Sequence, residues 1–293
     1  MKRLFKLIIA LIPLFYFSCQ SGEKDYLIHR WSPEIQRNFL GEMFWGNRLQ
    51  DWQVNNGRLE CIDGREALRT VHILTHEMSK RLEPFEVTVT LGTIHGESIG
   101  EDAFAGLLLG AGPLDLDYRG RSLVSGHTGK QAGIIAGING IGEPVLLDME
   151  NNLRPMASEI PVNDRYIVPG EGTTITVRGI PGDNEYHLSV RVKTPKIAIE
   201  AVIPSGRLEG NLALVAHHGN DASGQSFWFN DLMVSGPKFN VNSNRILGPI
   251  VSTQHSLSRR ILNMSAQMMP LGKSDPLEIT LQYKLKDQSD WEN

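Results

Sequence analysis

From about Tyr26 to Gly236 the chain breaks into short apolar or alternating runs set between turn residues. Phe85-Glu86-Val87-Thr88-Val89-Thr90-Leu91 alternates cleanly, and Tyr186 to Val192 does so again. A period of two is the signature of a half-buried strand. Arg58 to Ile62, Arg69 to Thr75, Thr173 to Arg178, Ile197 to Ile203, Leu212 to Ala216 and Phe227 to Val234 read as strands too. Ala103 to Leu109 is a continuous apolar run ending at Gly110-Ala111-Gly112-Pro113. Strands rich in Val, Ile and Thr, recurring at spacings of about 8–15 residues, predict an all-β antiparallel sandwich. No long helix is predicted. Ser32 to Phe39 offers a helical turn or two, and Asn152 to Glu159 is ambiguous.

One hairpin carries a specific signal. Gly133 to Ile138 leads into Asn139-Gly140, and Ile141 to Leu147 returns. Asn-Gly between apolar runs predicts a two-residue turn with both central residues at positive φ. Gly133, Gly137, Gly140 and Gly142 do not fit the dinucleotide pattern G-x-G-x-x-G, and no helix follows, so nucleotide binding is set aside. Past the sandwich, Arg260 to Met268 and Leu277 to Leu285 predict two further strands. Two strands without partners are marginal in water, so they either pack on the sandwich or open another domain.

The N-terminus is an address. Lys2, Arg3 and Lys6 precede the apolar run Leu7 to Phe17, which is shorter than the roughly 20 residues of a membrane span and right for the core of a signal peptide. Ser18-Cys19 comes next, and the segment resembles a bacterial lipoprotein signal, in which Cys19 becomes the lipidated N-terminus. Tyr16 and Phe17 depart from the usual residues of that signal. The expected organisation is a signal peptide over 1–18, a polar tether over 19–25, and a chain held to the lipid bilayer of the bacterial cell envelope by its acylated N-terminus. With Cys19 lipidated, Cys61 has no partner for an intrachain disulfide, and its strand-like surroundings predict a buried thiol.

Composition changes this picture little. Of 293 residues, 41% are hydrophobic and 21% charged, which excludes long-range disorder. The formal net charge is −4, and no basic block lies beyond the leader, which argues against nucleic acid as a partner.

The candidate chemistry is thin. His72 and His76 are four apart, but in a β-like run they stand about 13 Å from one another, too far to share a metal ion. Asp115-Leu116-Asp117-Tyr118-Arg119-Gly120 opens like a calcium loop, yet Arg119 and Gly126 occupy ligand positions, so it is no EF-hand. A calcium ion at a sandwich rim is left as an alternative to a solvated loop. His217-His218 with Asp221 and Asp231 offers a weak rim site for a divalent metal. Asp148 and Glu150 are the nearest approach to the carboxylate pair of a glycoside hydrolase. Trp45, Trp52, Tyr118 and Trp228 are the aromatic candidates for a ligand platform, with Trp52 and Trp228 assigned to the core. Tyr118, beside Asp115, Asp117 and Arg119, is the best candidate for a ligand rim. No catalytic residue, metal ligand or cofactor is assigned.

The stretch Gly46 to Cys61, with Trp52, Val54, Asn56-Gly57 and Leu59, joined by Leu82 to Val89, Ala105-Gly106-Leu107 and Gln225 to Gly236, resembles the concanavalin-like (laminin-G-like) jelly roll. The resemblance covers residues 26–240 and implies a final strand pairing near the first. Arg245 to Ile250 and Gln254 to Gly272 resemble the segment between a leading jelly roll and the catalytic domain of exported alkaline phosphatase D-like metallophosphatases. That resemblance implies a small β-sandwich domain beginning at 245–293 and a phosphatase domain beyond Asn293. The two-metal motifs themselves are missing, with no D-x-H and no Asn-His-Asp/Glu. The expected function is a non-catalytic accessory or binding module for a glycan or envelope polymer, with a glycan-acting hydrolase as the alternative.

Overall fold

The computed structural model describes residues 26–64, 68–96, 99–157, 172–194, 196–220 and 226–292. The signal peptide, the tether and Cys19 lie outside them. The fold is the expected antiparallel sandwich. The first sheet runs in the order β13 (Ile197–Pro204), β12 (Glu185–Val192), β11 (Thr173–Pro181), β6 (Phe85–Thr93), β15 (Phe227–Ser235), β4 (Arg58–Cys61), β3 (Trp52–Asn55), with β1 (Tyr26–His29) also on β15. The second runs β10 (Arg154–Pro155), β9 (Pro144–Asp148), β8 (Ile134–Asn139), β7 (Phe104–Ala111), β14 (Gly210–His217), β5 (Arg69–Met78), β16 (Phe239–Val241), with β2 (Phe44–Asn47) also on β5. The chain passes repeatedly from one sheet to the other. β15, the last strand of the first sheet, pairs with both β1 and β4, as the jelly-roll resemblance implies.

Alternation explains the faces. In β6, Val87, Val89 and Leu91 are fully buried, while Thr88 and Thr90 face outward and bond to Thr176 and Thr174 of β11 at 3.3 and 3.2 Å. The inner faces of both sheets meet in one core that includes Trp52, Leu59, Phe227, Phe229 and Tyr186. The second sheet differs, because β7 and β8 are buried at every position. Its outer face holds a second apolar cluster: Leu68, Phe104, Leu108, Ile135, Met149, Ala213 and Val215. Strands buried on both faces read as continuous apolar runs rather than alternating ones, which is the pattern of Ala103 to Leu109.

Three expectations need correction. The Asn139-Gly140 hairpin forms, but Asn139 bonds to the Glu143 carbonyl, and positive φ falls at Gly142 (+90°). The loop is Gly140-Ile141-Gly142, a three-residue connection with glycine at its left-handed position. The Asn139 side chain stabilises it by accepting from Ile141 N and Glu143 N. The two-residue Asn-Gly turn occurs instead between β3 and β4, where Asn56 (φ +49°) and Gly57 (φ +72°) both take positive φ. The helical turns expected over Ser32 to Phe39 are replaced by irregular chain whose Arg37 pairs with Val54 of β3. The strand expected over Leu277 to Leu285 has no neighbouring strand among the described residues, only a bridge between Tyr283 and Glu292. Its alternating pattern supplies a face but no backbone partner, and both are needed to form a ladder.

A hairpin of β17 (Ile250–Ser258) and β18 (Ile261–Met268) comes after the sandwich. Its cross-strand pairs put Leu257 and Leu262, His255 and Met264, and Thr253 and Ala266 on one face. Gln254, Ser256, Asn263 and Ser265 occupy the other. Leu257, Leu262 and Met264 are exposed, as are Leu277, Ile279, Leu281, Tyr283 and Leu285. The next turn of chain is docked. Met269 is buried, Phe39 N donates to Pro270 O at 3.2 Å, and Arg37 is ion-paired with Asp275.

One end of the sandwich buries a lysine. Lys238 is fully buried, its Nζ donates to Arg81 O at 3.1 Å, and it lies 4.8 Å from the Tyr186 ring centroid. Burial pushes its pKa down to about 8, against a smaller upward pull from Glu209. Between pH 8 and its unfolded value near 10.5 the unfolded chain holds a proton at Lys238 that the folded chain does not, so stability rises with pH across that window. Thermal melts from pH 7.5 to 10.5 are expected to show a rising Tm contribution that Lys238→Met abolishes. Parallel curves for the two proteins would refute it.

Candidate functional site

The outer face of the second sheet is covered by residues 112–133, which contain the helix α1 (Tyr118–Val124). The helix begins because Asp117 caps it. The Asp117 Oδ1 accepts from Arg119 N and Gly120 N, each at 2.9 Å. The Gly120 N–H first, and then Arg119, push the Asp117 carboxyl down to about 2. At the other end, Ser125 N and Oγ both donate to Arg121 O.

Polar anchors hold α1 on the sheet. Arg121 is buried and donates to Glu77 Oε1 at 2.5 Å, while Arg245 donates to Glu77 Oε2 at 2.5 Å. Burial works to raise the Glu77 pKa, but the bonds from Arg245 and Arg121 outweigh it and hold the carboxyl below its usual range. Deeper in, the amide nitrogen of Asn211 on β14 reaches Tyr118 O at 3.0 Å, Ser122 Oγ at 3.1 Å and His72 Nδ1 at 3.3 Å.

Beside α1 lies a cleft of about 290 Å³ lined by Trp45, Leu74, Tyr118, Arg119, Ser122, Leu123, Ile246 and Leu247. β2 supplies Trp45, β5 supplies Leu74, α1 supplies its own four residues, and the segment after β16 closes the last wall. The Tyr118 ring lies 4.6 Å from the Arg245 guanidinium and 5.6 Å from that of Arg119. Such contacts fix a ring's orientation. The cleft is thus mostly apolar, with two aromatic side chains and a few polar atoms at its edge. That composition is typical of small-ligand sites.

Of the four rim residues expected from the sequence, Tyr118 and Arg119 line this cleft. Asp117 is spent on the helix cap and on Arg119, at 2.9 Å, and Asp115 stands exposed on the preceding loop. Among the described residues no group of three or more His, Cys, Asp or Glu side chains is arranged to hold a metal ion. His72 and His76 both lie on β5, as the strand reading requires. Asp231 is paired with Arg30 at 2.7 Å rather than with His217, which stacks on Phe104. Asp221 lies outside the described residues.

The carboxylates considered for hydrolysis have another role. Asp148 accepts from Arg207 at 2.6 Å, from Asn151 at 2.7 Å and from Glu150 N at 2.9 Å. Glu150 accepts from Gln131 N at 2.7 Å and sits 3.5 Å from Arg207 Nε. Burial acts to raise the Asp148 pKa, yet the Arg207, Asn151 and Glu150 bonds together hold it down. A general acid needs the reverse. The pair ties residues 148–151 to Arg207 and to the loop beneath the apolar cluster.

Cys61 is buried, and desolvation pushes its thiol up to about 12, so it is no nucleophile at neutral pH. Trp52 and Trp228 are buried as expected. Sequence reasoning did not find Leu74, Leu123, Ile246, Leu247 or Asn211. Nothing local marks them, because they converge from four separate segments.

No family model matches the chain, and no curated protein sequence matches it. Among solved structures, lectin II from Ulex europaeus is 10% identical with a TM-score of 0.48, over 73% of this chain and 99% of that one. Lectin I-B4 from Griffonia simplicifolia, in a metal-free form, is 12% identical with a TM-score of 0.45, over 67% and 93%. The Emp46p carbohydrate recognition domain, also metal-free, is 14% identical with a TM-score of 0.44, over 66% and 86%. The likeness is one of general architecture, and no ligand or residue role is carried over from it.

Removing the Arg207 guanidinium strands a buried carboxylate. Arg207→Ala is expected to lower the unfolding free energy by about 3 kcal/mol, the scale of a broken buried ion pair. Urea denaturation measures it, and a loss below about 1 kcal/mol, the scale of a surface pair, would show that the clamp is dispensable.

Proposed function

We propose that this chain is a non-catalytic glycan-binding module, and that the cleft between β2, α1 and the segment after β16 is its binding site. The observation that supports this most is the pairing of two aromatic side chains, Trp45 and Tyr118, with a polar edge in a cleft sized for about one sugar ring. Sugars present apolar C–H faces and hydroxyl edges. An aromatic wall meets the first, and the exposed Arg119 at the cleft edge meets the second. The pairing of Asp148 and Glu150 with Arg207 speaks against the hydrolase alternative.

The same reading places the module in the cell envelope on a lipid anchor at Cys19, facing envelope polymers or surface glycans. It also makes the module the leading part of a longer phosphoesterase of the alkaline phosphatase D-like kind. The exposed apolar face of the β17–β18 hairpin and the exposed alternating run Leu277 to Leu285 favour this extension. They have the pattern of strands of a small sandwich whose other strands are supplied elsewhere. Calcium has no part in the reading.

Two measurements test it. On an array of envelope glycans, Tyr118→Ala and Trp45→Ala are each expected to weaken the best ligand by about tenfold, or about 1.4 kcal/mol. A chelator is expected to change nothing. Unchanged affinity in both variants would remove the cleft as the site. For the extension, the gene read past codon 293 is expected to continue in frame into Asp- and His-rich metal motifs, and an immediate stop codon would end that part of the reading.

A further inference from the structure

The β17–β18 hairpin ends in a turn that its own residues do not favour. Arg259 and Arg260 take φ of +48° and +67° between the paired Ser258 and Ile261. Asn and Gly are the usual residues of such a two-residue turn. Arginine at both left-handed positions costs conformational energy, so turn geometry does not account for the pair. Both arginines are exposed, and Ile250 to Met268 contains no Asp or Glu to neutralise them. The hairpin therefore presents two cations at its end, on a chain whose formal net charge is −4.

Aliphatic side chains flank the turn. Leu257, Ile261 and Leu262 are 72, 62 and 52% exposed. Leu257 and Leu262 pair on one face of the hairpin, and Ile261 pairs with Ser258 on the other. Behind the tip that other face is polar, with Gln254, Ser256, Asn263 and Ser265. A strand of a sandwich is apolar on its inner face and polar on its outer one. The body of the hairpin follows that rule, and the tip, apolar on both faces, departs from it.

A partner that takes an apolar end from both sides, with guanidiniums beside it, is layered, with anions outside and hydrocarbon beneath. The three aliphatics lie within two residues of the turn, about 7 Å along a strand. That matches the depth of about 5–10 Å at which apolar groups enter the boundary between headgroups and acyl chains. Guanidiniums pair well with the phosphates above it. Two copies meeting tip to tip would oppose their arginines. A nucleic acid would meet the arginines, but Ile250 to Met268 has no Phe, Tyr or Trp on which bases could stack.

We infer that the tip of the β17–β18 hairpin is a membrane contact, with Arg259 and Arg260 on the phosphates of anionic lipids and Leu257, Ile261 and Leu262 in the acyl boundary. This rests on the reading above that the chain is held at the bilayer of the cell envelope, and it leaves the face from Thr253 to Met264 to the small sandwich. An acyl tether limits the distance of the sandwich from the bilayer without orienting it. A second contact at the tip orients it.

The test is flotation with vesicles of equal parts phosphatidylglycerol and phosphatidylcholine. It uses the chain from Gln20 onward, which keeps every described residue and has neither leader nor acyl group. Binding is expected to these vesicles and not to pure phosphatidylcholine. Replacing both arginines, by Arg259→Gln with Arg260→Gln, is expected to weaken it about thirtyfold. Leu257→Ser with Ile261→Ser is expected to weaken it about tenfold. All these side chains are exposed, so circular dichroism and thermal melts of both double variants are expected to match the parent. Absence of binding, or binding indifferent to both pairs, overturns the proposal. So does a loss confined to the arginine pair together with equal affinity for duplex DNA, which would make the tip a polyanion site. Mass spectrometry of Cys19 in the full chain, recovered from bacterial membranes, tests the anchor separately. An unmodified Cys19 would end the anchor reading and leave the vesicle result to stand on its own.

Discussion

The carboxylate of Glu77 accepts from two guanidiniums, one on α1 and one on the segment after β16. Three pieces of chain distant in sequence meet at that group: β5, the helix over the outer sheet face, and the strut that carries Ile246 and Leu247. β5 is held by its neighbouring strands, but the helix and the strut have little apolar contact of their own. The helix is seven residues long, and of its residues only Arg121 and Ser122 are buried. An isolated helix of that length is unstable in water. Its position is therefore fixed by ionic and amide bonds, to Glu77 and Asn211, rather than by a greasy stripe. The cleft exists because those bonds fix the distance between α1 and the strut.

The second sheet makes such a cover necessary. Its outer face has Leu108, Ile135, Ala213 and Val215 where the first sheet has Thr88, Thr90, Thr174 and Thr176. Threonines can face water and bond to one another across strands. The apolar set cannot, so residues 112–133 and the Asp148–Arg207 clamp close over it. The cover leaves a gap at one edge, where β2 adds a short strand and Trp45 stands half-exposed. The site is the seam of that cover. Its Ser122 hydroxyl faces inward, where its bonds to Tyr118 O and Asn211 help to fasten the cover down.

Much of the sandwich was legible because the period-two pattern and the turn residues are local signals. β6 and β12 announce themselves, and the strands of Thr173 to Arg178 and Phe227 to Val234 fall within a few residues of where the pattern ends. The helix was not legible, since Tyr118 to Val124 contains a glycine and a serine and no apolar period. Its cap, Asp117, was visible only as a possible calcium ligand or a member of the ligand rim, because a carboxylate that caps a helix and one that binds an ion look alike until the next N–H groups are placed. Tyr118 and Arg119 were named as an aromatic with polar neighbours in a loop, and both line the cleft. Trp45 was visible as an aromatic but not as the partner of His72, because only the β2–β5 register brings them opposite. Leu277 to Leu285 shows the converse. Its pattern is as clean as that of β6, yet a strand requires a neighbour as well as a face.

The strut also links the cleft to the β17–β18 hairpin. Asn242 N donates to Thr75 O, Leu247 N donates to Glu42 O, and Gly248 packs against Phe39 and Met269 before the chain enters β17. Ile246 and Leu247 are therefore at once a wall of the cleft and the root of the hairpin. Because Arg245 is held at both its guanidinium, by Glu77, and its flank, by the Tyr118 ring, the strut is restrained beside the cleft, and Met269 N donating to Pro249 O ties its far end to the chain after β18.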